Sequence, residues 1–126
     1  MKVFIVDDSK IIRQRLASLL SDVPSVEIVG EAGGSEEAMA MIRTHNPDVV
    51  TLDIRMPDGS GLDIIGPIKS ALGKVIIIML TNYPYPQYRQ ECLDKGADYF
   101  LDKATEFQEI PKILERWRPV AADGGS

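Results

Sequence analysis

Cysteines, long apolar runs and an excess of basic residues are scarce or missing in the sequence. It has one cysteine, Cys92, so no disulfide can form within the chain and a reducing compartment is expected. No apolar run approaches the roughly 20 residues that a membrane-spanning helix needs, and no signal peptide precedes the first apolar run. Basic residues are not in excess, because the formal net charge is -5, which argues against direct binding to nucleic acid. These shortages favour a cytoplasmic protein without membrane insertion.

The chain instead has a regular alternation of short apolar runs and helical patterns. The length of 126 residues suits one domain, which we expect over residues 1–119, with a disordered polar tail at 120–126. Alternating strands and helices predict a parallel sheet with helices on both faces. Right-handed crossovers favour a doubly wound, flavodoxin-like (βα)5 sandwich with strand order 2-1-3-4-5. The predicted strands are residues 2–6, 26–29, 49–52, 75–80 and 98–101.

Polar side chains follow four of these five strands, at the point where each strand ends. Asp7 and Asp8 follow the first strand, Asp53 the third, Thr81 the fourth and Lys103 the fifth. In the predicted order these four strands are consecutive neighbours, and ligands of open α/β sheets bind at the carboxyl edge. We therefore expect the five side chains to share one site.

The residue types at this edge point to metal-assisted phosphate chemistry. Neighbouring carboxylates repel one another unless a cation neutralises them, and a carboxylate site open to phosphate favours Mg²⁺. Lys103 and Thr81 suit phosphoryl oxygens, and Asp53 could act as a nucleophile that becomes an aspartyl phosphate. Taken singly, an Asp after a strand is usually a cap and a Lys a solvated charge. Matching groups at all four strand ends favour a site.

The combined motif resembles the receiver domain of two-component response regulators. The resemblance covers about residues 2–118 and implies that Asp53 is the phosphoacceptor, phosphorylated by a sensor histidine kinase or a phosphotransfer protein in a Mg²⁺-dependent reaction. Such a domain catalyses only its own phosphorylation and dephosphorylation. The residues that carry the resemblance are Asp7-Asp8, Asp53, Met56-Pro57-Asp58-Gly59-Ser60-Gly61, Thr81 and Lys103.

The resemblance also implies roles for individual side chains. Asp8, Asp53 and the backbone carbonyl of Arg55 would bind Mg²⁺ directly, while Asp7 would act mainly through water. Phe100 would be the aromatic switch that turns inward on activation.

Two residues would read the phosphoryl group. By the same resemblance, Thr81 would move to a phosphoryl oxygen and Lys103 would pair with it. The switch residues lie on the fourth and fifth strands, so the signal would leave through the fourth helix, the fifth strand and the fifth helix. An unknown downstream protein, or a second copy of the chain after phosphorylation, would read it there.

Three departures from the family pattern affect the switch more than the chemistry. Ala104 stands where a proline commonly follows the lysine, so the Lys103–Ala104 bond is expected to be trans, or cis with strain. Asn82 is larger than the usual residue and could narrow access to the phosphate. The segment 83–86, Tyr-Pro-Tyr-Pro, is stiffer and more aromatic than usual.

Three other functions are open to a chain of this pattern. A dehalogenase-type phosphatase needs a second acid two positions after Asp53, where Arg55 stands. A flavodoxin-like cofactor site is disfavoured because the loop after the first strand is acidic and repels phosphate. The remaining alternative is a receiver-like interaction module that works without phosphorylation, which would be expected to have lost an acid, Thr81 or Lys103.

Overall fold

A computed structural model of the chain describes residues 1–117, and within them it has five parallel strands in one sheet. The strand order is β2-β1-β3-β4-β5, with each neighbouring pair parallel. The predicted flavodoxin-like fold class is therefore confirmed. The end of the predicted domain at residue 119 and the predicted tail, 120–126, lie outside the described residues. The strands are β1 Lys2–Val6, β2 Glu27–Ala32, β3 Val49–Leu52, β4 Ile76–Thr81 and β5 Tyr99–Asp102.

A helix follows each strand. At the start of α1 (Lys10–Leu20) the Ser9 side chain accepts the backbone N–H of Ile12 at 3.2 Å, so Ser9 is the N-cap of this helix. The N-cap of α2 is Gly34, which has no side chain to fill that role. The helices are α1 Lys10–Leu20, α2 Ser35–His45, α3 Leu62–Leu72, α4 Pro86–Asp94 and α5 Glu109–Arg116.

The second strand is longer than its sequence predicts. It continues through Gly30 and Glu31, which are poor strand formers, because β1 lies alongside and pairs with it up to Ala32. The glycine is needed here, since a Cβ at position 30 would lie 2.6 Å from the ring of Phe4. Pairing with a neighbouring strand thus overrides local propensity.

Apolar side chains fill both faces of the sheet. One buried cluster includes Phe4, Ile65 and Cys92, and the other includes Ile5 and Leu114. Helices α2, α3 and α4 contribute to the first cluster and α1 and α5 to the second, which is the two-sided cover that a parallel sheet requires. None of the helices within residues 1–117 is long and apolar enough to cross a membrane.

Candidate phosphoacceptor and metal site

The predicted site residues lie together at the carboxyl edge of the sheet. Strand pairing continues one residue past each strand end, because the amide of Asp53 donates to Val6 O at 3.1 Å and the amide of Lys103 donates to Thr81 O at 2.7 Å. Asp7 follows β1 in the same way, with its amide bonded to the carbonyl of the last β2 residue at 3.0 Å. Regular backbone hydrogen bonding therefore fixes the Cα positions of Asp7, Asp53 and Lys103.

Lys103 reaches back across the sheet to two carboxylates. Its Nζ lies 2.7 Å from Asp7 Oδ2 and 3.2 Å from Asp53 Oδ2. All three residues are buried, with exposed fractions of 9% for Lys103, 1% for Asp7 and 6% for Asp53. A buried ion pair is costly to break from one side, since the remaining charge is left without a partner. The lysine is thus the internal counter-charge of the two acids.

The ionisation of this group is strongly perturbed. Burial raises the pKa of Asp53 to about 6, with repulsion from Asp7 adding to the rise and the charge of Lys103 opposing it. Burial also disfavours the charged form of Lys103, but its hydrogen bond to Asp7 and its attraction to both acids outweigh burial and raise the pKa of Lys103. Asp53 is therefore mostly a carboxylate at neutral pH but accepts a proton readily below it.

The acids form a group that could hold a divalent cation. Asp7, Asp8 and Asp53 each offer a carboxylate oxygen, and these oxygens lie within 4.8 Å of one another. Asp8 is exposed, so the group is open to solvent on one side. Asp53 Oδ1 accepts the amide of Ile54 at 2.8 Å. A carboxylate has about four lone-pair sites, so this hydrogen bond leaves others on Asp53 that can bind a cation. An all-oxygen donor set of this kind fits Mg²⁺.

A short hairpin follows Asp53 in a stretch that contains Pro57, Gly59 and Gly61, residues typical of turns. Arg55–Met56 pairs antiparallel with Gly59–Ser60, and the amide of Gly61 donates to Ile54 O at 2.7 Å. A Cβ at position 61 would lie 1.9 Å from the carbonyl oxygen of Asp53, so only glycine fits there. The hairpin holds the Arg55 backbone, whose carbonyl is a predicted metal ligand, next to the acids.

The tip of this hairpin contacts α2. The carboxylate of Asp58 accepts the amides of Ser35 at 2.8 Å and Glu36 at 3.1 Å. These two bonds lower the pKa of Asp58. Asp58 thereby serves as the N-cap that Gly34 cannot be. Sequence reasoning missed this contact, because a cap supplied by a residue 23 positions away leaves no local pattern.

Thr81 ends β4 at the same edge and is fully buried. Its hydroxyl oxygen accepts the amide of Tyr83 at 2.9 Å. The Arg55 guanidinium lies 3.9 Å from the centre of the Tyr83 ring, a cation–π contact. The loops after β3 and β4 are thus joined through Arg55, another contact that the sequence pattern did not indicate.

The remaining predicted residues lie on β5 and just after it. Phe100 is only 7% exposed and packs in the same apolar cluster as Cys92, so its ring is already inside the core in this structure. The Lys103–Ala104 bond is trans, the first of the two forms expected there. The amide of Ala104 donates to Asp102 Oδ1 at 2.8 Å, which holds the turn after the strand.

Fold and site together define the receiver class of α/β proteins, with an acid group, a buried lysine and a threonine on the carboxyl edge of a flavodoxin-like sheet. Residues 3–115 match the family model for the response regulator receiver domain. The chain belongs to this family, and the resemblance found in the sequence is confirmed.

Individual relatives agree with this assignment. The DNA-binding transcriptional activator DevR/DosR of Mycobacterium tuberculosis is 33% identical over 115 residues, which are 91% of this chain and 53% of that protein. The chain therefore spans about half the length of that curated relative.

Solved structures show the same fold. The receiver domain of the putative response regulator NarL from M. tuberculosis has a TM-score of 0.84 and 30% identity over 93% of this chain and 94% of its own. A chain of the CheX–CheY–BeF3–Mg²⁺ complex from Borrelia burgdorferi has a TM-score of 0.78 and 31% identity, covering 90% of this chain and 89% of its own.

Proposed function

We propose that this receiver domain accepts a phosphoryl group on Asp53 from a sensor histidine kinase or a phosphotransfer protein. The observation that carries the proposal is the burial of Lys103 between Asp7 and Asp53 at 2.7 and 3.2 Å. Lys103 pairs with the carboxylate that would carry the phosphoryl group, so its charge lies where it can also offset the charge of the phosphoryl oxygens. In that reaction an Asp53 oxygen forms a bond to phosphorus while the bond from phosphorus to the donor's histidine nitrogen breaks.

The chain's own residues would divide the remaining work. Asp53 is mostly ionised at neutral pH and can attack directly. The Lys103 ammonium would offset the charge of the phosphoryl oxygens, and the Thr81 hydroxyl would donate to one of them. Asp8, Asp53 and the Arg55 carbonyl would hold Mg²⁺, with Asp7 acting mainly through water. When bound, the metal would neutralise negative charge on the transferring group.

The similarity to a solved CheY chain supports the metal and the chemistry, since that complex contains BeF3 and Mg²⁺. The test is incubation of the full chain with acetyl phosphate and Mg²⁺, followed by mass spectrometry. Attack by Asp53 releases acetate and leaves a phosphoprotein. Asp53→Asn and a sample with EDTA should carry no label. A label on another residue of the wild type would contradict the assignment, and no label at all would favour the interaction module that works without phosphorylation.

We propose that the signal leaves through α4, β5 and α5. Tyr83, Tyr85 and Tyr88 form a contiguous aromatic group at the start of α4, with ring centres 6.4 and 5.8 Å apart, and tyrosine is enriched at recognition surfaces. A downstream protein or a second copy of the chain would bind there. Adding beryllofluoride with Mg²⁺ should shift backbone amide resonances in residues 82–103. Shifts confined to the neighbourhood of Asp53 would place the output surface elsewhere.

A further inference from the structure

The contact between Asp58 and α2 ties the hairpin after β3 to the start of that helix. We infer that Asp58 is a positioning residue for the metal site: it holds the hairpin after β3 against α2, and so sets the position of the Arg55 carbonyl relative to Asp7 and Asp8. This inference rests on the proposed function, because it concerns Mg²⁺ binding at the same site.

Hydrogen bonds hold the hairpin at two points only a few residues apart. At its base, the amide of Gly61 bonds to Ile54 O at 2.7 Å. At its tip, both oxygens of Asp58 accept amides of α2. Arg55 lies between these points, and its exposed side chain stacks on the Tyr83 ring. Losing the tip contact would leave the hairpin held by its base, by the buried Met56 side chain and by this stacking contact, with no hydrogen bond from its tip to α2.

The start of α2 is itself linked to the first acid loop. The carbonyl of Ala32, three residues before α2, accepts the Asp7 amide at 3.0 Å. The Asp7 carbonyl accepts Arg13 Nη1 at 2.6 Å, and Arg13 Nε bonds to Glu31 at 3.1 Å. Hydrogen bonds therefore join the β1 loop to the end of β2, and α2 begins after only two intervening residues. Asp58 is the side chain that ties the β3 hairpin to the start of that helix.

Two simpler explanations for Asp58 need separate controls. Asp58 could matter only as a helix cap, or only as a negative charge that attracts Mg²⁺ from a distance. The double variant Gly34→Ser with Asp58→Ala addresses the first, because Gly34 has an extended backbone (φ -155°, ψ 168°) that any residue adopts, and a serine there caps α2 locally. Asp63→Ala addresses the second, since Asp63 is an exposed acid in the first turn of α3.

The experiment measures Mg²⁺ binding by calorimetry on the full chain. Asp58→Ala should bind Mg²⁺ about fivefold more weakly, less than the ~10–100-fold loss typical of groups bonded directly to metal ligands. Asp58→Asn keeps one acceptor and should lose less. Asp63→Ala should change the affinity by less than about twofold, because the charge of an exposed side chain is screened by solvent and by 0.15 M salt. The double variant should recover thermal stability but not affinity.

Three outcomes would overturn the inference. Equal Mg²⁺ affinities for Asp58→Ala and Asp63→Ala, or for Asp58→Ala and Asp58→Asn, would mean that Asp58 acts on Mg²⁺ binding only through its negative charge. Recovery of Mg²⁺ affinity in the double variant would mean that Asp58 acts only by capping α2.

A metal-free measurement separates this inference from the proposed function. Hydrogen exchange of the Gly61 amide should be at least about tenfold faster in Asp58→Ala, because the hairpin opens locally more often when its tip is released. The β3 amides should exchange at the wild-type rate, because the protein as a whole does not unfold. If the wild type failed to bind Mg²⁺, the proposed metal site would be wrong, and unchanged Gly61 exchange would still overturn the positioning role by itself.

Discussion

Replacing Asp53 by asparagine should stabilise the metal-free protein at neutral pH. The pKa of Asp53 is raised from 3.8 to about 6, first by burial and then by repulsion from Asp7, so folding is more favourable when this carboxyl is protonated. The stability from protonation is complete below pH 3.8 and is lost as the pH rises through 6. One pKa unit corresponds to about 1.4 kcal/mol, so the ionised carboxylate costs about 3 kcal/mol at pH 7. Asparagine resembles the protonated acid and avoids that cost.

The assay is urea unfolding of wild type and Asp53→Asn in EDTA at several pH values. The variant should be more stable by about 3 kcal/mol at pH 7 and by about 1.5 kcal/mol at pH 5. For a domain of this size the larger gap corresponds to roughly 10 °C in Tm. Asp63→Asn, at an exposed position, is the matched control and should show no gap that widens with pH.

Added Mg²⁺ should narrow this difference in stability. A ligand that binds only the folded state stabilises it in proportion to its affinity, and Asp53→Asn lacks one of the proposed ligands. The wild-type Tm should therefore rise with Mg²⁺ more than that of the variant. Equal or lower stability of Asp53→Asn at pH 7 without metal would refute the reasoning, because it would mean that the pair with Lys103 outweighs the cost of burying the charge.

Two further predictions concern the lysine and the hairpin. Lys103→Ala should keep or tighten Mg²⁺ affinity in calorimetry, because one cation opposes another, while the amide shifts caused by beryllofluoride should shrink; a large fall in affinity would contradict this. Gly61→Ala should destabilise the protein by about 2 kcal/mol in urea unfolding, since its Cβ would overlap the Asp53 carbonyl. Gly66→Ala in the interior of α3 should cost much less, because apart from its chain neighbours nothing lies within 4 Å of a Cβ there, and the steric effect of Pro67 on the residue before it opposes the helix preference of alanine. A loss as large as that of Gly61→Ala would show that the overlap with the Asp53 carbonyl does not decide the outcome.

The sequence was enough to predict the sheet order and the edge where the polar residues meet. Both depend on short-range signals: apolar runs of four to six residues that alternate with helical patterns, and polar residues at the strand ends. The handedness of the crossovers then leaves few topologies. For that reason Asp7, Asp53 and Lys103 could be placed at one edge before any contact between them was known.

Contacts between loops could not be predicted in the same way. Asp58 caps α2 from across the site, and Arg55 stacks on Tyr83 from a different loop. Neither pair has a sequence spacing that a helix or strand imposes, so only the assembled sheet brings its members together. Similarly, Gly30 and Glu31 lie in a strand because a neighbour pairs with them, against their own propensities.

The burial of Cys92 makes the protein convenient for spectroscopic labelling. It is the only thiol in the chain, it is fully buried on α4, and burial raises its pKa to about 11, so maleimides should not reach it in the native protein. A cysteine introduced by Ile11→Cys, at a position that is 68% exposed near the acids, or by Tyr85→Cys at the start of α4, would be the single reactive thiol. A dye or spin label can thus be attached to α1 or to the start of α4, and Cys92 in the core does not have to be replaced first.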